Sequence, residues 1–143
     1  MNETTKAPLH LWIVGILAVL WNAIGCFDYY ATQSKLESYM SQFTPEQLEY
    51  FYGFPAWVDA SWAIAVWGSL LGSILLLARK AWAVWLFGLA ILGLAATTVY
   101  NFVLSDGMAV MGSGAALFSV VIWVIALVLF FYARALARRG VLK

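Results

Sequence analysis

Charged residues are scarce in this 143-residue chain, since Asp, Glu, Lys and Arg together make up 10% of it. Soluble domains carry about 25% charged residues, so the chain lacks the polar surface that a water-soluble fold needs. The single cysteine, Cys26, excludes an intrachain disulfide, and the single histidine, His10, excludes a haem held by two histidines of one chain. No cluster of residues has metal-ligand spacing, so we predict no metal and no cofactor. A net charge of +1 gives no reason to expect a nucleic-acid partner.

Long apolar runs dominate what is present, because hydrophobic residues make up 64% of the sequence. Four runs cover residues 9–31, 55–78, 81–104 and 109–133, and the fourth helix begins either at about Met108 or only after Gly114. A helix rises about 1.5 Å per residue, so each run can cross a hydrocarbon core about 30 Å thick. The sequence therefore predicts an all-α membrane protein. Residues 1–143 form one domain, and its four transmembrane helices make an antiparallel bundle.

Basic residues are sorted to one side of these runs. Seven of the eight lie on that side, and only Lys35 lies on the other. By the positive-inside rule, both ends of the chain and the turn between the second and third runs are cytoplasmic. We expect the basic segment 134–143 to contact lipid headgroups through Arg134, Arg138 and Arg139.

The longest connection, residues 32–54, is then external and contains a helix signal. Thr44-Pro45-Glu46-Gln47 is typical of a helix start, with Thr44 as the N-cap and Gln47 reaching back to it. Leu48, Phe51 and Tyr52 follow at helical spacing on one face. The sequence predicts a short amphipathic helix that either lies on the outer face of the membrane or folds over the bundle mouth.

Small residues at helical spacing mark a packing face in the second run. Gly68 and Gly72 form a Gly-x-x-x-Gly pair, and Ser69 and Ser73 run beside them. Small residues four apart allow helix backbones to approach closely in lipid. They fit either packing within the bundle or an interface between subunits.

Polar residues inside the runs are costly in lipid, and most of them gather towards the external side. More than half of the aromatic residues also lie at this end, which exceeds what an even interfacial belt needs. One interpretation is structural, with carboxylates capping helix ends. The other is a binding cup for a small cation or a sugar, recognised by charge, ring faces and hydrogen bonds. The residues predicted to form the cup are Asn22, Asp28, Tyr29, Trp57, Asp59, Trp62, Tyr100 and Asn101.

The segment from Leu20 to Pro55 carries a recurring pattern. It runs through Trp21-Asn22, Gly25, Asp28-Tyr29, Tyr39-Met40, Phe43-Thr44-Pro45-Glu46-Gln47 and Tyr52-Gly53-Phe54-Pro55-Ala56-Trp57, and similarity extends to Asn101-Phe102-Val103-Leu104-Ser105 and the basic end. The pattern resembles an uncharacterised family of small four-span proteins of proteobacterial inner membranes, some of them labelled sugar transporters. The resemblance implies a bacterial inner-membrane location and transfers no catalytic residue.

Three functions remain open from the sequence. The first is a transporter or binding protein for a small polar or cationic solute. Four packed helices fill their own centre with side chains, so a path for a solute needs either two or more protomers or a very open bundle, and we expect a homo-oligomer. The second is an accessory protein that binds partner helices in the bilayer. The third, less favoured, is a membrane enzyme that uses Asp28 and Asp59 as an acid–base pair. No protease-like motif surrounds either aspartate, so we predict no catalytic residue and favour a protein that is not an enzyme.

Overall fold

A computed structural model describes residues 6–143, and the first five residues of the predicted cytoplasmic end lie outside this range. The described chain is helical and contains no strand. Four helices are long and apolar enough to cross a membrane: α1 (Leu9–Gln33), α4 (Ala56–Leu77), α5 (Trp82–Val99) and α7 (Ser113–Arg138). The third span is extended to Leu104 by a π-helical turn, Tyr100–Leu104. The prediction of an all-helical chain with four helices long and apolar enough to cross a membrane is confirmed.

The fourth long helix differs from its predicted range of 109–133. A separate short helix, α6 (Gly107–Met111), precedes it, and α7 begins only at Ser113. The break falls at Gly112, whose φ of 88° lies in the left-handed region that other residues rarely adopt. At its other end α7 continues to Arg138, so Arg134 and Arg138 lie on the helix and not in a separate tail.

α4 and α5 form an antiparallel hairpin with a close helix–helix contact. A Cβ at Gly93 would lie 2.5 Å from the Ser61 carbonyl oxygen, and one at Gly72 would lie 2.9 Å from the Phe87 ring. The two helices can approach this closely only because both positions lack a side chain. Gly68 and Gly72 are therefore buried inside the chain, where they serve packing between its own helices.

α1 packs against α4 through a buried polar contact. The Asn22 amide donates to Ser73 Oγ at 2.8 Å and to the Ser69 carbonyl at 3.2 Å. Cys26 lies further along α1, and its thiol donates to the Val66 carbonyl. Hydrogen bonds of this kind join helices in lipid, where polar groups find no water.

The hydrophobic core occupies one end of the four helices, which we call the closed end. Its buried residues are Leu11, Ala18, Leu76, Ala83, Phe87, Leu129, Ala133, Leu136, Val141 and Leu142. The segment after α7 folds back onto the α4–α5 turn, where Lys143 N donates to the Arg79 carbonyl and Arg79 Nε donates to the Val141 carbonyl. The closed end is also the end that carries most of the basic residues.

The segment between α1 and α4 covers the opposite end of the helices. It contains α2 (Glu37–Met40) and α3 (Pro45–Tyr52), and α3 contacts α1 and α6. The N-cap of α3 has both predicted hydrogen bonds, from Gln47 N to Thr44 Oγ1 and from Thr44 N to Gln47 Oε1, each 3.1 Å long. The short helix is present where the sequence places it, and its location outside the membrane stays a prediction from charge.

Candidate ligand-binding chamber

A chamber of about 670 Å³ lies between the closed end and the α2–α3 segment. Phe87 and Leu129, at the edge of the closed-end core, form its floor. Its side walls come from α1, α4, α5 and α7, and they are mainly apolar. Ligand pockets in proteins typically have about 300–1,000 Å³, so the chamber has the volume of a small-molecule site.

Small side chains leave this space open. They face the chamber from three of the four long helices: Ala65, Ser69, Ala90, Ala115, Ser119 and Ala126. The expectation that four helices fill their own centre is therefore wrong for this half of the molecule. The cavity lies within one chain, so its volume gives no reason to require an oligomer.

Five aromatic side chains of the α2–α3 segment cover the chamber, and we call them the aromatic lid: Tyr39, Phe43, Tyr50, Phe51 and Phe54. Their rings contact one another edge to face, with centroids 5.1 Å apart for Phe43 and Phe51 and 5.3 Å apart for Tyr50 and Phe54. Such edge-to-face pairs are favourable beyond the apolar area that they bury. The lid is therefore a connected layer of rings over the apolar space.

Two tyrosine hydroxyls fasten the lid to the long helices. Tyr39 donates to Asp28 Oδ1 at 2.5 Å, and Tyr50 donates to Asn101 Oδ1 at 2.6 Å. Burial raises the pKa of Tyr39, and the hydrogen bond to the Asp28 carboxylate raises it further. Burial also raises the pKa of Tyr50, against a smaller opposing effect of the hydrogen bond with Ser105. Both hydroxyls thus keep their protons at neutral pH and act as donors.

The π-helical turn positions the second of these acceptors. Its wider turn places Asn101 between α5 and the lid, and the amide Nδ2 donates back to the Thr97 carbonyl at 2.9 Å. The Ser105 hydroxyl, which donates to the Tyr100 carbonyl, lies 2.7 Å from the Tyr50 hydroxyl. Single π turns often occur at functional sites in helices, which fits a position on the chamber wall.

Most polar groups on the chamber wall are already paired within the chain. Asn22 and Asn101 use their amides as described above, and Thr97 and Thr98 each donate to the Leu94 carbonyl. Asp28 differs, because Oδ2 accepts no hydrogen bond from the described residues and no described cation pairs with the carboxylate. Lys35, the basic residue nearest in sequence, lies over the Tyr52 ring instead. Asp28 is the acidic group that faces the chamber without a counter-ion.

The eight predicted cup residues divide into two groups. Four of them line the chamber: Asn22, Asp28, Trp62 and Asn101. The other four lie outside it: Tyr29, Trp57, Asp59 and Tyr100. Asp59 accepts a hydrogen bond from Gln33 Nε2 at 3.0 Å, so the two carboxylates proposed as an acid–base pair have different surroundings.

Of the remaining aromatic residues of the predicted cup, Tyr100 contacts the lid directly, with its ring centroid 5.6 Å from that of Phe54. The Tyr29 ring packs edge to face on Trp62 with centroids 4.9 Å apart, and Trp57 packs on Tyr100 at 5.8 Å. Tyr100 lines a shallow groove next to the chamber together with Glu46, Glu49 and Asp106. These residues hold the neighbouring rings in place and do not face the chamber.

The contribution of α7 to the chamber is the part that sequence reasoning missed. Ala115, Phe118, Ser119, Ile122 and Leu129 all line it. Their spacing of three, four and seven residues is the signal that places them on one helix face. In a helix that is apolar all round, this signal does not distinguish a chamber wall from a lipid-facing surface.

Comparison with known proteins identifies no relative of this chain. No protein-family model matches the chain, and no curated protein or solved structure is significantly similar to it. The resemblance to a family of proteobacterial inner-membrane proteins therefore stays a prediction.

Proposed function

We propose that the protein binds a small organic cation, an amine or a quaternary ammonium with an apolar part, inside the bilayer. The observation that carries the proposal is Asp28, a carboxylate without a counter-ion on the wall of a mainly apolar chamber. Asp28 is half-buried among mainly apolar wall residues, where an opposite charge stabilises a carboxylate more than it would in water, so a positive ligand group is the partner that this position favours. The rings of the aromatic lid add faces on which a cation is attracted.

A sugar is the less suitable ligand for this chamber. Recognition of a sugar needs several free hydrogen-bond partners, and most polar groups here are already bonded to the chain. The apolar wall would instead leave sugar hydroxyls without partners, which is costly. A cation needs one charged partner and apolar surroundings, and the chamber offers both.

Binding is better supported than passage through the bundle. The packed core of the closed end lies below Phe87 and Leu129, so the chamber ends blindly in the described structure. Transport would require this core to open, as alternating access does in other carriers. We therefore propose a ligand-binding protein first and a transporter second.

The orientation that we propose follows from charge. The closed end carries the Arg79–Lys80 turn together with Arg134, Arg138 and Arg139, and by the positive-inside rule it belongs in the cytoplasm. Both ends of the chain are then cytoplasmic in a bacterial inner membrane, and the aromatic lid faces outwards. In this orientation the three arginines lie where anionic headgroups would contact them.

The test compares two acidic residues of the same end of the molecule. Hexyltrimethylammonium is titrated against the purified protein in lipid nanodiscs, and thermal stabilisation and heat of binding are measured. Asp28→Asn removes the charge on the chamber wall, whereas Asp59→Asn removes a charge outside the chamber. Losing one partner of a buried charge pair costs about 2–5 kcal/mol, so the first variant should lose about 30-fold or more in affinity.

The outcomes separate the candidate ligands. The wild type and Asp59→Asn should bind hexyltrimethylammonium equally, and hexyl glucoside should bind to neither. Equal binding by Asp28→Asn would overturn the proposal, as would stabilisation by hexyl glucoside alone. Near-UV circular dichroism of Asp28→Asn without ligand checks that the variant keeps its fold.

A further inference from the structure

α1 and α7 are the two long helices that close the ring around the chamber, and their contact is sparse. The ring Nδ1 of His10 hydrogen-bonds the Tyr132 hydroxyl near the closed end. Further along, the Trp21 and Phe118 rings lie with centroids 6.0 Å apart. Between this ring pair and the lid, no hydrogen bond or ring contact joins the two helices within residues 6–143.

We call the boundary between α1 and α7 the seam. Two side chains at the seam belong both to the chamber wall and to the outer surface. Ile24 of α1 is 68% exposed and Phe118 of α7 is 55% exposed, and both line the chamber. Wall residues that are more than half exposed, where the two helices make little contact, indicate a side opening. The opening lies within the membrane-length part of both helices, so it faces lipid acyl chains and not water.

Asp28 lies on the lid side of this opening and the apolar floor lies on the other side, which is the order of head and chain in a leaflet amphiphile. Asp28 follows Ile24 by four residues, so it lies one helical turn nearer the lid. The apolar floor at Phe87 and Leu129 lies on the opposite side, towards the closed end. An amphiphile in a leaflet also holds its charged head towards the interface and its chain towards the bilayer centre. It would reach Asp28 without turning over.

We propose that the ligand is a single-chain cationic amphiphile that enters the chamber sideways from the bilayer, between α1 and α7. This inference rests on the proposed function and names its ligand class and entry route. The head pairs with the Asp28 carboxylate, the alkyl chain fills the apolar space above Phe87 and Leu129, and the aromatic lid covers the head. No part of the ligand has to cross the lid.

The test measures association rates of alkyltrimethylammonium ions in nanodiscs. Ile24→Trp narrows the seam, and Ile16→Trp is the matched control, since Ile16 is exposed on the same helix but does not line the chamber. Dodecyltrimethylammonium should associate about tenfold more slowly with Ile24→Trp than with the control, within the one to three decades over which variants of one site differ. Loosening the lid with Tyr39→Phe and Tyr50→Phe should not accelerate association, because the ligand does not enter across the lid.

The chain length of the ligand gives an independent readout on the unmodified protein. At equal aqueous concentration, association should rise steeply from butyl- to dodecyltrimethylammonium, because the longer ion partitions into the bilayer. Equal association rates for both ions would overturn sideways entry. So would faster association with the lid variant combined with no effect of Ile24→Trp. Neither result would affect the dependence of binding on Asp28, whereas binding that ignores Asp28 would remove the proposed function itself.

Discussion

The hydroxyl of Tyr39 lies 2.5 Å from Oδ1 of Asp28, so one carboxylate fastens the aromatic lid and is also the group that we assign to cation binding. The two roles use different oxygens, because Oδ2 accepts no hydrogen bond from the described chain. Lid and ligand are therefore coupled through a single side chain. Several measurements can test this coupling.

Removing the Tyr39 hydroxyl should shorten the lifetime of the bound ligand. A hydrogen bond to a charged group contributes about 1.5–3 kcal/mol, so Tyr39→Phe should raise the dissociation rate of hexyltrimethylammonium about tenfold or more. Stopped-flow displacement measures this rate. Tyr30→Phe is the control, since Tyr30 is exposed and its hydroxyl has no hydrogen bond in the described chain. Equal rates in the two variants would show that the hydroxyl does not hold the lid.

Alkaline pH should open the lid. The closed lid raises the pKa of both Tyr39 and Tyr50, whereas an open lid exposes them to water, where tyrosine has a pKa of about 10. A raised pKa means that closure is fully favoured below that ordinary value and weakens as pH rises above it, because the open form loses its protons first. Ligand dissociation should therefore accelerate once the pH rises above about 10, and the effect should be clear by about pH 11.

The double variant Tyr39→Phe with Tyr50→Phe provides the control for this pH dependence. It lacks both titrating hydroxyls, so its dissociation rate should be fast and nearly independent of pH over the same interval. A wild-type rate that stays constant to about pH 11 would contradict the role of these two groups.

The contact between Asn22 and Ser73 should stabilise the packing of α1 on α4. Interhelical hydrogen bonds in membranes average about 0.6 kcal/mol and reach about 1.7, so Asn22→Ala should lower the free energy of unfolding by about that amount. Unfolding in mixed detergent measures it. The Asn22→Ala, Ser73→Ala double variant should lose less than the sum of the single variants. Strict additivity would mean that the 2.8 Å contact contributes nothing.

Two glycines should respond oppositely to the same substitution. A Cβ at Gly93 would lie 2.5 Å from a backbone oxygen of α4, whereas one at Gly114 meets nothing within 4 Å. Gly93→Ala should therefore destabilise the fold by about 1–3 kcal/mol, the usual cost of overpacking. Gly114→Ala should be neutral or stabilise α7 by up to about 1 kcal/mol, because alanine favours a helix. Thermal unfolding in nanodiscs compares the pair, and a stable Gly93→Ala would contradict the close α4–α5 contact.

The helices themselves could be predicted from the sequence because their signals are local. Apolar runs of sufficient length fix the four spans, and Thr44 and Gln47 specify the start of α3 by their own hydrogen bonds. Hydrophobicity does not specify where α7 begins, since Met108 to Met111 are apolar enough to extend a span. The positive φ of Gly112 sets the beginning of α7, and hydrophobicity does not reveal a backbone angle.

The chamber could be predicted only in part because it depends on how the helices are rotated. Depth in the membrane follows from position in a run, and it correctly predicts that Asp28 and Asn101 lie near the same end of the chamber. Depth does not show which face a residue occupies, so it predicts the same role for Asp59 as for Asp28, although Asp59 bonds to Gln33 outside the chamber. Small residues were interpreted as packing positions, which holds for Gly72, while Ser69 lines open space.

Val141 and Leu142 are 1% and 3% exposed, and they complete the closed-end core although they follow all four long helices in the chain. During translation, Val141 and Leu142 are therefore synthesised after all four long helices. Until then, Leu11 and Leu76 lack their packing contacts with these two residues. A fluorescent reporter that senses burial next to Leu142 would consequently time the end of assembly, whereas one in α1 would time only membrane insertion.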